Sequence, residues 1–111
     1  MKVIVASGKP EEGEDRIAIG RQCVNSLEEL ELALHLAESA FKKNKNIAKS
    51  LRFEFLLFLA GTRDIRSAMK KTAPGKKHLL VIFSDEGVGD GVDLRKKAEP
   101  LSLERISLSR V

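Results

Sequence analysis

The chain contains no tryptophan, no tyrosine and a single cysteine, and these absences exclude several classes of protein. Because Cys23 has no second cysteine to pair with, no disulfide forms within the chain. One thiol and two histidines, His35 and His78, also fall short of the full set of protein ligands that structural zinc takes. If the protein stacks a side chain on a base, only the five phenylalanines are available for it.

Long hydrophobic runs are also absent, since the longest apolar stretch spans only six residues against the roughly 20 of a membrane-spanning helix. The N-terminal segment turns acidic after a short apolar stretch, unlike a secretory signal peptide, so we expect a cytoplasmic protein. A length of 111 residues fits one domain, 1–111, which buries enough surface to fold without a disulfide or a metal ion. Sparse Gln and Asn beside abundant Lys, Arg and Glu resemble a thermophile's composition.

The net charge of +4 is unevenly distributed along the chain. Residues 1–40 contain four basic and eight acidic side chains, residues 41–83 contain eleven and two, and residues 84–111 contain five and six. The middle segment therefore has a net charge of +9. This segment is either a solvated helical face or a surface that binds an anionic partner.

The hydrophobic pattern predicts an α+β domain, in which a small and mostly antiparallel sheet of about three strands packs against several helices. The strands are expected at residues 3–6, from residue 17 towards Cys23, and at residues 79–83. The last of these is a continuous apolar run, which is typical of a strand covered on both faces.

Three helices are expected between the second and third strands. Ser26 and Glu29 predict a capping box at the start of the first helix. The second helix is expected over about 47–60, capped by Asn44 or Asn46 and ended by Gly61. It is apolar nearly all round and is expected to be the central buried helix. The third is expected to be capped by Thr62, with these side chains facing inward: Ile65, Ala68 and Met69.

The sequence offers no pair of carboxylates, no cluster of metal ligands and no nucleophile beside an evident base. We therefore expect neither an enzyme nor a bound cofactor or metal ion. Cys23 is typical of a small buried hydrophobe, although His35 could approach it in space. Glu54 leaves two alternatives, because it lies within the most apolar helix. It either faces solvent at the helix edge or is a buried carboxylate that holds a basic side chain in place.

The strongest binding signal is the turn over residues 61–66, which carries Arg63 and Arg66. A helix N-terminus offers free N–H groups and a positive partial charge, and two arginines beside it can bind phosphate. Further cations extend this positive field: Lys42, Lys43, Lys45, Lys49, Arg52, Lys70, Lys71, Lys76 and Lys77. Without a base-reading helix or an aromatic sheet motif, this chemistry favours RNA over sequence-specific DNA.

The segment NIAKSLRFEFLLFLAGTRDIRSAM, residues 46–69, resembles the signature of a known family. That family is the small kinase-binding subunit of the KEOPS complex, called the p53-related protein kinase-binding protein in eukaryotes. The matching residues are Asn46, Ala48, Glu54, Gly61, Arg63, Ile65 and Ala68. The segment ERISL at residues 104–108 also resembles the closing segment of the family, whereas the region between Phe83 and Leu101 is shorter than the family pattern.

The resemblance implies a non-catalytic role in tRNA modification. KEOPS makes threonylcarbamoyladenosine beside the anticodon, and its small subunit binds the N-terminal lobe of a kinase-like ATPase and the single-stranded 3′ CCA tail of tRNA. The residues expected to contact the tRNA tail are Asn46, Lys49, Arg63 and Arg66. Gly61 and Thr62 are expected to support the turn, and Glu54 to order the basic side chains from inside.

Three points stay open on the sequence alone. Ile106 and Leu108 either form an apolar contact for the kinase lobe or pack into the core. The chain is alternatively a protein-only regulatory subunit of a kinase without direct RNA contact. A small enzyme that uses Cys23 or His35 is a further alternative.

Overall fold

One mixed sheet of four strands forms the base of the fold, in a computed structural model that describes residues 1–11 and 13–108. The strands are β1 (Lys2–Ser7), β2 (Arg16–Ile19), β3 (Lys77–Ile82) and β4 (Gly87–Val88), in the order β2-β3-β1-β4. β3 pairs antiparallel with both β1 and β2, and β4 pairs parallel with β1 at the edge. The α+β class and the mostly antiparallel sheet are confirmed. The short β4 was missed, because its glycine-rich acidic segment reads as a turn.

The central strand β3 is covered on both faces, as its apolar run predicts. His78, Leu79, Leu80 and Val81 are all buried, so the burial does not alternate along the strand. Leu79 and Val81 belong to the hydrophobic core that the helices share. Register places Val81 between Val3 of β1 and Ile17 of β2, which makes a continuous apolar layer for the helices to cover.

Four α-helices pack on this layer: α1 (Leu27–Lys42), α2 (Leu51–Ala60), α3 (Ile65–Lys71) and α4 (Pro100–Ser107). α2 is the central buried helix, as predicted, because every side chain from Glu54 to Leu59 is buried. Against it α1 contributes a stripe of buried small and aliphatic residues, Leu30, Ala33, Ala37 and Ala40. Among the residues described, no helix is long and apolar enough to cross a membrane.

The start of α1 is the most completely capped point of the fold. Ser26 Oγ accepts from the Glu29 N–H at 3.2 Å, which confirms Ser26 as the helix cap. The Glu29 carboxylate accepts from the Asn25 N–H at 3.0 Å, one residue before the N–H that a regular capping box uses. The Leu27 and Glu28 N–H groups donate to backbone carbonyls of residues 95 and 96. The chain that leads to α4 is thereby fastened to the first turn of α1.

Several predicted boundaries are wrong. α2 begins at Leu51 after Ser50 and not near residue 47, because residues 44–50 form a loop in which Asn44 has a φ of 54°. The second strand ends at Ile19, and a 3₁₀ turn over Arg21–Cys23 follows it.

α3 also begins differently from the prediction. It is capped by Asp64 in place of Thr62, since Asp64 accepts from the Arg66 and Ser67 N–H groups. Ala68 is buried as predicted, whereas Ile65 is 37% exposed and Met69 is 50% exposed. A helix of seven residues can bury only one narrow stripe, and Ala68 is the buried residue of α3.

Candidate nucleic-acid-binding site

An open cleft of about 370 Å³ lies between the C-terminal half of α1, the loop before α2 and the turn after it. We call it the basic cleft, and its walls are formed by Leu36, Ser39, Ala40, Lys43, Lys45, Ile47, Phe58 and Arg63. Two of the three cations in this set, Lys43 and Lys45, lie two residues apart in the sequence, and folding brings Arg63 to them. The cleft lies wholly within the +9 segment except for its wall from α1.

The chemistry of the basic cleft combines exposed cations with an apolar wall. Lys43, Lys45 and Arg63 are exposed, and Ile47 is 46% exposed although it is a large aliphatic residue. Phe58 is 5% exposed and belongs to the core, so it forms a fixed part of the wall. Cations of this kind bind phosphate, while an apolar wall accepts the face of a base or ribose.

Glu54 holds the loop that forms one side of the basic cleft. Its side chain is 0% exposed, and Oε1 accepts from the Ile47 N–H at 3.1 Å and the Ala48 N–H at 2.9 Å. The burial of Glu54 is therefore confirmed and the solvent-facing alternative is wrong. These bonds go to backbone N–H groups, so the expected hold on a basic side chain stays a prediction. These bonds act on the backbone between Lys45 and Lys49, so the carboxylate fixes the path of the loop that carries both lysines.

Asn46 stabilises the same loop from within. Its side-chain amide donates to the Ala48 carbonyl at 2.8 Å, and the residue is only partly exposed. Its predicted contact with RNA is neither supported nor contradicted by this bond. Lys49 is exposed but does not line the cleft.

The turn after α2 directs Arg63 into the cleft. Gly61 takes a left-handed conformation with φ 67° and ψ 38°, and its N–H donates to the Phe58 carbonyl at 3.1 Å. The Thr62 N–H donates to the Leu57 carbonyl at 3.1 Å, which completes a Schellman motif. Gly61 thus ends the helix as predicted, and a side chain at this position would be strained because φ is positive.

The free amides expected at the next helix start are already occupied. The Arg66 and Ser67 N–H groups each donate to the Asp64 carboxylate at 3.3 Å, and Thr62 Oγ1 accepts from the Asp64 N–H. A hydrogen bond from the Ser67 hydroxyl is the main cause that lowers the pKa of Asp64. A phosphate at these two N–H groups would have to displace an internal carboxylate, so the expectation that they are free is wrong. Phosphate binding by the two arginines of the turn stays a prediction.

The structure therefore brings together only part of the predicted set. Arg63 lines the basic cleft, while Arg66 is exposed on α3 outside it. Lys43, Lys45 and Ile47 were missed as cleft residues, although the two lysines were part of the positive field. Their position depends on the loop path, for which the sequence offers only the lone carboxylate of Glu54 as a signal.

The two residues expected at a kinase contact have different surroundings. Ile106 is 0% exposed and belongs to the hydrophobic core, so core packing is the correct alternative for it. Leu108 is 57% exposed and is available to a partner. Arg105 of α4 also reaches α1, where its guanidinium lies 3.7 Å from the buried Glu29 carboxylate.

Cys23 and His35 line different clefts, so nothing in the fold presents them as a nucleophile and its base. Burial raises the pKa of the Cys23 thiol to about 11, and its Sγ donates to the Gly20 carbonyl. The thiol is therefore protonated at neutral pH and is a weak nucleophile. No group of His, Cys, Asp and Glu in the described part of the chain is arranged to hold a metal ion.

A scan against models of known protein families found no match to this chain, and a search of curated proteins found no relative.

Proposed function

We propose that this protein is a non-catalytic accessory subunit of the KEOPS complex, which acts in the cytoplasm. In this role it binds the single-stranded 3′ CCA tail of tRNA and the kinase-like ATPase subunit. The observation that carries the RNA-binding part is the basic cleft, where Lys43, Lys45 and Arg63 surround an apolar wall. The resemblance of residues 46–69 to the family supports the other parts, namely the KEOPS complex, the kinase-like partner and the CCA tail.

The form of the cleft supports a flexible RNA strand over a duplex. A volume of about 370 Å³ accommodates one or two nucleotides at a time, and its walls come from a loop and two helix ends. A single strand can turn its phosphates towards the cations and its bases towards Ile47. Because the chain has no Trp or Tyr, binding depends mainly on cations and aliphatic contact, and it should therefore depend strongly on salt.

The test replaces the two cations that come from opposite sides of the cleft. In Lys45→Ala with Arg63→Ala we expect tRNA affinity at low salt to fall by roughly tenfold or more, and the slope of log K against log salt to decrease by about 2. Fluorescence anisotropy with labelled tRNA measures both quantities. Lys76→Ala with Lys77→Ala is the matched control, since it removes the same charge from exposed positions outside the cleft.

Equal losses in the two double variants would contradict the proposal, because they would mean that net charge alone sets the affinity. Unchanged affinity in both would favour the alternative of a protein-only regulatory subunit. Binding to the kinase-like ATPase should stay within about twofold in both variants, which also shows that they fold.

A further inference from the structure

A second groove lies on α1, along a different stripe of the helix from the basic cleft. It has a volume of about 360 Å³ and is lined by Glu14, Asp15, Leu34, Glu38, Leu51, Phe83 and Ser84. Leu34 and Glu38 are four residues apart and so lie on one face of α1, whereas the basic cleft uses Leu36, Ala40 and Lys43. We call this second feature the acid-rimmed groove.

The floor of the acid-rimmed groove is apolar and fixed. Leu34, Leu51 and Phe83 are each only half-buried, although all three pack against the hydrophobic core. The Phe83 ring stands edge-on to the buried Phe55 ring, with 5.2 Å between the ring centroids. An apolar side chain can therefore enter a groove that exists before binding.

The rim is acidic, and most of its charge is not neutralised. Glu14 and Glu38 are exposed and have no ion pair with any residue in the described ranges. Asp15 is paired with Arg16 at 3.1 Å. A neighbouring cleft of about 280 Å³ shares Leu34 and Glu38 with the groove and adds Glu31, which is likewise exposed.

The charge of the rim decides between classes of occupant. Unpaired carboxylates on both sides repel phosphate, so neither a nucleic acid nor an anionic lipid surface fits. They attract Lys and Arg, and charge complementarity of this kind governs which protein partner docks. The apolar floor adds a requirement for an aliphatic or aromatic side chain between those cations.

We propose that the acid-rimmed groove docks a segment of a partner protein in which Lys or Arg residues flank an apolar side chain. The apolar side chain fills the space above Leu34, Leu51 and Phe83, and the flanking cations pair with Glu14, Glu31 and Glu38. The assignment does not depend on the RNA-binding function. A loss of tRNA binding and a loss of this docking are expected from different variants.

The test uses a short synthetic peptide in which arginines flank a central pair of leucines, added to the ¹⁵N-labelled full chain. We expect amide shifts concentrated at Leu34, Leu51 and Phe83. In Glu31→Gln with Glu38→Gln, peptide affinity should fall by about fivefold, as expected for rim charges. Glu99→Gln with Glu104→Gln is the matched control, because it removes the same charge from exposed positions at α4, and it should change affinity by less than about twofold.

Four outcomes would overturn the proposal. The first is the absence of peptide binding, and the second is an equal loss in the two double variants. The third is equal binding of a peptide with serines in place of the leucines, because bare charge attraction would then explain it. The fourth is self-association of the chain in sedimentation that Glu31→Gln with Glu38→Gln abolishes, because the occupant would then be the basic segment of a second copy.

Discussion

The basic cleft and the acid-rimmed groove use two stripes of the same helix, α1, yet they are built in different ways. The cations of the basic cleft come from a helix end, a loop and a turn, and one buried carboxylate, Glu54, holds the loop. The groove takes its carboxylates from α1 (Glu38) and from the turn before β2 (Glu14 and Asp15), above a floor that packs against the core. The net charge of +4 is thus the sum of contributions that include one positively and one negatively charged surface. One suits phosphate and the other suits cations.

The largest expected effect is a difference in stability between two variants: one lacks Glu54, which is buried beside the basic cleft, and the other lacks Glu38, which is exposed at the acid-rimmed groove. Glu54→Ala leaves the buried Ala48 N–H and the partly buried Ile47 N–H without their acceptor and should cost roughly 2–5 kcal/mol of unfolding free energy. Glu38→Ala removes an exposed carboxylate from the middle of α1 and should change stability by less than about 0.5 kcal/mol. Urea unfolding measures both, and similar values for the two variants would contradict the structural role of Glu54.

The next effect is a difference in tRNA affinity between variants of two neighbouring arginines, Arg63 and Arg66. Arg63→Ala should weaken tRNA binding at low salt by roughly fivefold, because Arg63 lines the basic cleft. Arg66→Ala should weaken it by less than about twofold, since Arg66 lies outside the cleft and acts only through long-range attraction. The double variant measured by anisotropy should resemble Arg63→Ala alone. A larger loss for Arg66→Ala would move the RNA site from the cleft to α3.

A smaller effect tests whether the two surfaces act independently on RNA. Glu31→Gln with Glu38→Gln removes negative charge from the acidic side and should raise tRNA affinity by no more than about twofold at low salt. The same binding assay in high salt should abolish even this difference. If the double variant bound tRNA markedly less well, RNA would contact the acidic side and the division into two surfaces would be wrong.

The smallest effect is on the pH dependence of stability, and it involves two hydrogen-bonded aspartates. Asp15 lies at the acid-rimmed groove, and Asp64 lies in the turn beside the basic cleft. The Arg16 guanidinium, with Ser84, lowers the pKa of Asp15, and the Ser67 hydroxyl lowers the pKa of Asp64. A carboxylate with a lowered folded pKa stabilises the fold above its ordinary pKa of 3.8 and loses this contribution as the pH falls through the folded value. Asp15→Asn and Asp64→Asn should each lower the urea midpoint at neutral pH, and the difference from the unsubstituted protein should shrink below pH 3.8.

The exposed Asp90→Asn serves as the control for this series and should follow the unsubstituted protein at every pH. A constant difference for Asp15→Asn or Asp64→Asn across the pH range would mean that the substitution acts through something other than the charge. Because both aspartates lie at the surface, salt should reduce the effect.

Sequence periodicity was sufficient for the parts of the fold that a local pattern determines. The run Leu79–Phe83 predicts a strand buried on both faces, Ser26 and Glu29 predict a helix start, and Gly61 predicts a helix end. All three elements are confirmed, although the strand spans Lys77–Ile82 and the half-buried Phe83 lies beyond it. In each case a backbone requirement, such as a left-handed residue or an unpaired N–H, selects particular residue types nearby. The two-residue β4 carries no such signal, since it is too short to show a hydrophobic pattern and lies in a glycine-rich segment.

The candidate site could be predicted only in part. Arg63 was found because a turn with arginines is visible in the sequence, but Lys43, Lys45 and Ile47 join it through the path of the loop. That path depends on hydrogen bonds from Ile47 and Ala48 to Glu54, six or seven residues further along the chain. Ile106 could not be assigned from the sequence either. It lies in a short amphipathic helix, and the sequence does not show whether the apolar face of that helix packs against the core or is exposed to a partner.

The central claim is that the basic cleft binds the 3′ tail of tRNA. The most direct measurement compares intact tRNA with tRNA trimmed of its CCA end, both bound to the full chain over a series of salt concentrations. We expect trimming to weaken binding by roughly tenfold at low salt and to lower the slope of log K against log salt, because the trimmed tRNA lacks the phosphates that contact the cleft. Equal affinity and equal slope for the two RNAs would contradict it.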